Sequence, residues 1–195
     1  MEASHKRYFV LDDEFMASDE FIQINLEIDI AISSIVWYLN DKFIINPAIK
    51  GNGVVPIKEN FVKYLVSKGW KSEYRLSFSD GMNPGPVDVV KVTSRGIFAV
   101  EWETGNISSS HRALNKIAIG IMQEKIIGGI LILPTKAFAA YLTDRIGNYE
   151  EIQPYFMMYT NILKKGIMGV FAVEHDGTSL EARLIPKGKD GNAKK

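Results

Sequence analysis

The chain has 195 residues, 46% of them hydrophobic and 24% charged, with a formal net charge of zero and no cysteine. That balance excludes a disordered chain, a disulfide-stapled scaffold and thiolate metal sites, and it fits a reducing compartment. Zero net charge does not announce a nucleic-acid binder, but a basic cleft balanced by acidic surface elsewhere stays open. The length predicts a single domain over residues 1–195, with no repeat or low-complexity linker to divide it. The N-terminal MEASHKRYFVLDDEF lacks the apolar core of a signal peptide, and the run Ile126 to Leu133 is too short to span a bilayer. A soluble cytoplasmic protein with no membrane partner is expected.

Residues 18–39 carry frequent apolar positions without proline or glycine, which predicts one long helix. After Gly51-Asn52-Gly53, Pro56 sits where a first helical turn tolerates it. Gly69 closes that helix, with Ile57, Phe61 and Leu65 inward. A short strand over 73–78 and a turn over 83–86 lead into a β-branched strand from Val87 to Val92. Residues 93–96 then make a tight link to a strand over 97–103, giving an antiparallel hairpin. Helical spacing returns over 108–124, with Ser108 as a candidate N-cap. A buried strand over 126–133 stops at Pro134. Two shorter helices follow near 136–142 and 149–159, then strands near 167–174 and 180–185. The pattern is α/β: a central mixed β-sheet flanked by helices.

The chemistry concentrates in GIFAVEWETGNISSSHR, residues 96–112. Side chains alternate across a strand, so Glu101 and Glu103 share a face and Trp102 takes the other. Asp88 lies on the partner strand of the hairpin, where opposed residues are only about 5 Å apart. Packed carboxylates repel unless a cation lies between them or they hold protons. Oxygen ligands select a hard cation such as Mg²⁺. Taken alone, Glu-X-Glu at a strand end also reads as a solvated face. The residues that follow, 105–112, place amide and hydroxyl donors at a helix start, where the dipole favours phosphate. An acidic cation site beside an anion-binding helix start suits phosphodiester hydrolysis. His5, His111 and His175 form no zinc-type cluster, and His111 reads as loop support.

The order Pro-Val-Asp (86–88), a short hairpin, then an acidic pair on the next strand resembles the PD-(D/E)XK nuclease core, with Glu103 in place of the usual lysine. That replacement, and the strings NGVVPIKE (52–59), EWETGNISSSHRALNK (101–116), AYLTDRIGNYEEIQPYF (140–156) and LIPKGKDG (184–191), resemble the BamHI branch of type II restriction endonucleases. The resemblance implies a restriction-endonuclease-like fold in a bacterial protein. It also implies Mg²⁺-dependent cleavage of double-stranded DNA at the palindrome GGATCC, cut after the first G to leave 5′ overhangs. It makes Asp88, Glu101 and Glu73 metal ligands, joined by the main-chain carbonyl of Trp102. Glu103 then orients or deprotonates the attacking water. Two Mg²⁺ ions per site are implied, with Mn²⁺ able to substitute and Ca²⁺ inhibitory, and no small-molecule cofactor.

The resemblance places Asn106, Ser108, Arg112, Asp144, Arg145 and, in the tail, Gly188 on the DNA, with Lys58 at phosphate; Asn192 replaces a methionine that touches the minor groove. The residue types suit this: arginine pairs with guanine, aspartate accepts from cytosine, and asparagine suits adenine. Plain structural roles stay open beside these. Asp144 and Arg145 could form a surface ion pair, Asn106 a turn, Ser108 a cap, Lys58 a solvated charge and Glu73 a surface strand residue. A palindromic target calls for a two-fold dimer, implied through the helices near 108–124 and 149–156. Two other functions fit the sequence less fully. One is a catalytically inactive DNA-binding protein of the same fold, and the other an α/β hydrolase of small phosphate esters.

Overall fold

The computed structural model describes residues 1–79 and 81–187; Gly188 and Asn192, singled out in the sequence, lie outside the described residues. Along the chain run β1 (Glu2–Val10), α1 (Asp13–Met16), α2 (Asp19–Ser33), β2 (Ile44–Ile45) and α3 (Val55–Ser67). The hairpin region contributes β3 (Lys71–Tyr74), β4 (Val87–Thr93) and β5 (Gly96–Trp102), followed by α4 (Ile107–Met122). Then come β6 (Gly128–Pro134), α5 (Lys136–Ala139), α6 (Tyr149–Ile152), a 3₁₀ turn at Gln153–Tyr155, α7 (Phe156–Ile162), β7 (Ile167–Glu174) and β8 (Gly177–Thr178).

Six strands form one mixed sheet in the order β1-β7-β6-β5-β4-β3. The β3-β4-β5 edge is antiparallel, β5-β6-β7 is parallel, and β1 closes the other edge antiparallel to β7. The central strands are buried on both faces, as parallel strands covered by helices must be. Alternation splits the core in two. Val89, Phe98, Val100, Ile130 and Phe171 face α2 and α3 through Ile28, Ile57, Phe61 and Leu65. Val90, Ala99, Leu131 and Val170 face α4 and α7 through Leu114, Ile117 and Tyr159.

The helix expected over 18–39 stops at Ser33. The hydroxyls of Ser33 and Ser34 donate to the last-turn carbonyls of Ile30 and Ala31, and the chain turns away. The strand expected over 73–78 lies earlier, at Lys71–Tyr74, and no strand forms over 180–185. The helix expected over 149–159 is broken by the 3₁₀ turn, where Pro154 cannot donate an amide. Strand β1 was not predicted. Its residues are mostly polar and exposed, because it lies at the sheet edge. Among the described residues no helix is long and apolar enough to cross a membrane.

Candidate active site

The ends of β4 and β5 meet between the two helical layers. One step beyond the Val89–Val100 pair, the antiparallel register sets Asp88 beside Glu101. Ser72 pairs with Val89 and Tyr74 with Val87, so Glu73 falls beside Asp88 on the next strand. Glu73, Asp88 and Glu101 therefore share one level across three adjacent strands. Asp88 and Glu101 are buried, 8% and 5% exposed, whereas Glu73 is exposed and adopts φ +49°. A non-glycine residue in the left-handed region carries backbone strain.

Each buried carboxylate has an ammonium partner from a different layer. Lys58 Nζ on α3 lies 2.6 Å from Asp88 Oδ1, and Lys116 Nζ on α4 lies 2.6 Å from Glu101 Oε1. The second oxygen of Asp88 accepts the Trp102 amide at 2.8 Å, and the Trp102 ring packs on Phe61 at 4.7 Å. Burial pushes the Glu101 carboxyl up to about 7, with repulsion from Asp88 adding to it and Lys116 and Lys58 opposing it. Glu103 follows β5, and Gly105 donates its amide to Glu103 Oε1 at 2.6 Å. Its carboxyl is also held above the usual range, by burial first and by Asp88, against the pull of Gly105, Lys58 and Arg112. Burial lowers the Lys58 ammonium, but Asp88 first, with Glu101 and Glu103, offsets this and leaves it raised.

Among the described residues no three acidic or imidazole groups stand as a ready metal cluster. The expected set of Asp88, Glu101 and Glu73 is aligned across three strands without closing into such a cluster, and a lysine pairs with each of the buried two. An open cleft of about 610 Å³ beside it is lined by Lys58, Glu73 and Thr104, with Val55 and Val62.

The expected DNA-reading residues lie on the adjoining surface. Asn106, not Ser108, is the N-cap of α4, its side chain accepting from the Ser109 amide at 3.0 Å. Arg112 is exposed one turn further on. The Asp144–Arg145 ion pair does not form: Asp144 pairs with Lys50 at 2.7 Å, and Arg145 takes φ +64°. The two segments are stitched together by the Gly147 amide on the Gly105 carbonyl at 2.9 Å and a bridge between Asn106 and Ile146. Asn106, Ser108 and Arg145 thereby share one depression of about 440 Å³.

The family profile described as restriction endonuclease BamHI matches residues 1–192. The chain belongs to the BamHI family of restriction endonucleases. It is 47% identical over 169 residues to the type II restriction enzyme OkrAI of Oceanobacter kriegii, covering 86% of this chain and 87% of that protein. It is 36% identical over 203 residues to the type II restriction enzyme BamHI of Bacillus amyloliquefaciens, covering 97% and 93%. The fold is also that of restriction endonuclease BglII in complex with a DNA 16-mer. That superposition has a TM-score of 0.62 at 14% identity and covers 94% of this chain and 89% of that one.

As a member of the BamHI family, the protein is a type II site-specific deoxyribonuclease. Three features of this family member escaped the sequence. Lys116 reaches Glu101 from the far helix, Gly105 fixes Glu103, and Gly147 joins the two segments expected to read DNA. A lysine set between Leu114 and Ile117 on the inward side of α4 was the one available signal.

Proposed function

We propose that this BamHI-family enzyme is a Mg²⁺-dependent homodimer that cuts GGATCC after the first G on each strand. One observation carries the proposal. Buried, mutually repelling carboxylates at the ends of β4 and β5 adjoin the donor-rich start of α4, beside the depression shared by Asn106, Ser108 and Arg145.

The donor set fits a hard cation. It is all oxygen, and burial first and Asp88 second raise the Glu101 carboxyl to about 7, so a further cation beside it would favour the charged form. Asp88 and Glu101, with Glu73 and the Trp102 carbonyl, would hold the ion. When bound, it supplies positive charge for the phosphate oxygens and acidifies water. The remaining work falls to the chain. Glu103, oriented by the Gly105 amide and raised by burial, accepts the proton of the attacking water. Lys58, at the mouth of the cleft, and the amides at the start of α4 hold the phosphate. Asn106, Ser108, Arg112, Asp144 and Arg145 read bases in the major groove. Dimerisation is supported by exposed apolar side chains on α4, α7 and the turn before α7: Met122, Tyr155, Met158 and Ile162.

The test is cleavage of a linear duplex bearing one GGATCC, with Mg²⁺, and sequencing of the ends. The expected result is a single cut leaving four-base 5′ overhangs, as cutting a six-base palindrome after its first base requires. Scattered nicks, or cuts at another sequence, would sink the assignment.

A further inference from the structure

Lysine is seldom buried unless paired, and Lys116 is only 8% exposed. Its stem passes inward from α4 beside Leu114 and Ile117, so the helix spends an inward position on a charge. The ammonium has two partners. It stands 2.6 Å from Glu101 Oε1, at the end of β5, and donates to the Pro86 carbonyl at 2.6 Å, just before β4 begins. It thus clamps the two strand ends that present Glu101 and Asp88. Lys58 serves Asp88 from the opposite layer but is more exposed, with 40% of its side chain accessible against 10% for Lys116. The carbonyl anchor means that Lys116 keeps a partner whether or not Glu101 is engaged elsewhere.

We propose that Lys116 is a positioning residue, the resident counter-charge that holds Glu101 in place in the metal-free enzyme and yields it to a divalent cation. The proposal rests on the reading of Asp88 and Glu101 as cation ligands. Without the ammonium, two buried carboxylates face each other with only Lys58 between the layers, and breaking a buried ion pair on one side leaves an uncompensated charge. A cation then relieves more repulsion than it does in the wild type, and no longer competes with an ammonium. Loss of stability should therefore be specific to the metal-free state. A lysine that merely fills space would cost the same in both states.

The experiment compares the full-length enzyme with Lys116→Met, which keeps the stem and removes the charge. Thermal unfolding is followed without DNA, in EDTA and in Mg²⁺ alone. In EDTA the variant should melt about 10 °C below wild type, and Mg²⁺ should recover at least about half of that loss while moving wild type by much less. Calorimetric titration should show Mg²⁺ binding tightened on the order of tenfold. Lys116→Arg, which keeps a cation, should behave as wild type in EDTA. If Lys116→Met does not fold in EDTA, the double variant with Glu101→Gln decides: it should fold there and lose the enhanced Mg²⁺ response. Equal losses in EDTA and Mg²⁺, or a double variant no more stable than Lys116→Met, overturns the role of Lys116 while leaving the cation reading standing. Mg²⁺ that stabilises neither protein overturns both.

Discussion

The position of Glu103, the proposed proton acceptor, rests on one glycine. Gly105 donates its amide to Glu103 Oε1 at 2.6 Å, and a Cβ at that position would lie 2.6 Å from the same oxygen. No real Cβ sits so close, and the atom it meets is the far end of the flexible Glu103 side chain, so that side chain is what gives way. Gly105→Ala should therefore push the Glu103 carboxylate off its hydrogen bond while leaving the surrounding backbone conformation accessible. Misplacement of a catalytic group by about 1 Å costs on the order of a hundredfold in rate. The expected outcome is that loss in single-turnover cleavage, with binding to a GGATCC duplex in Ca²⁺ unchanged. Cleavage within twofold of wild type would show that Glu103 does not need this tether. The same residue pair explains why the strand reading of 97–103 overshot. Glu103 keeps a ladder bond to Ile132, but its side chain is governed by the turn that follows.

At the scale of elements, the hairpin and the helix after it were legible because their signals are local. The β-branched run of β4, the tight link to β5 and the periodicity of α4 need no distant partner to be recognised. The acidic residues could be paired from that register alone. Edge strand β1 was not legible, since an exposed strand has no reason to alternate cleanly. Nor were the lysines that face Asp88 and Glu101, because both contacts join residues from different layers. The link between the segments proposed to read DNA is equally non-local. A Cβ on Gly147 would meet Ser110 Oγ at 2.7 Å and Ile107 Cα at 3.0 Å, so this glycine lets the loop 143–148 lie flat against the start of α4. Gly147→Ala should lever Arg145 away from Asn106 and Ser108. Affinity for GGATCC should fall about tenfold or more, as when one base contact worth about 1–3 kcal/mol is lost, while binding to unrelated duplex and its salt dependence stay as before. Competition binding against non-cognate DNA measures the ratio; an unchanged ratio would mean that the two segments read independently.

A molecule with no net charge that reads a palindrome, as proposed, has to gain its grip from local arrangement and from symmetry. One copy offers one set of carboxylates and one proposed reading surface, so on that proposal cutting both strands at symmetric positions takes two copies. The outward side of α4 carries His111, Asn115, Ile119 and Met122 at helical spacing, and beside it run Tyr155, Met158 and Ile162. The two stripes are locked into one surface by the His111–Tyr155 ring contact at 4.6 Å and by Tyr159 donating to Asn115 at 3.0 Å. A single copy leaves Met122, Tyr155, Met158 and Ile162 between 45% and 58% exposed, an apolar patch that a second copy of the same surface could cover isologously. Met158→Glu places a carboxylate at the centre of that patch without touching either core. Burying it unpaired in a dimer costs several kcal/mol, which weakens self-association by a hundredfold or more at about 1.4 kcal/mol per tenfold. Sedimentation velocity at micromolar concentration should then show a dimer for wild type, as proposed, and a monomer for the variant. The monomer's melting curve should stay cooperative, and double-strand cleavage of a one-site plasmid should fall at least about tenfold. A variant that remains dimeric and fully active would move the interface off α4 and α7.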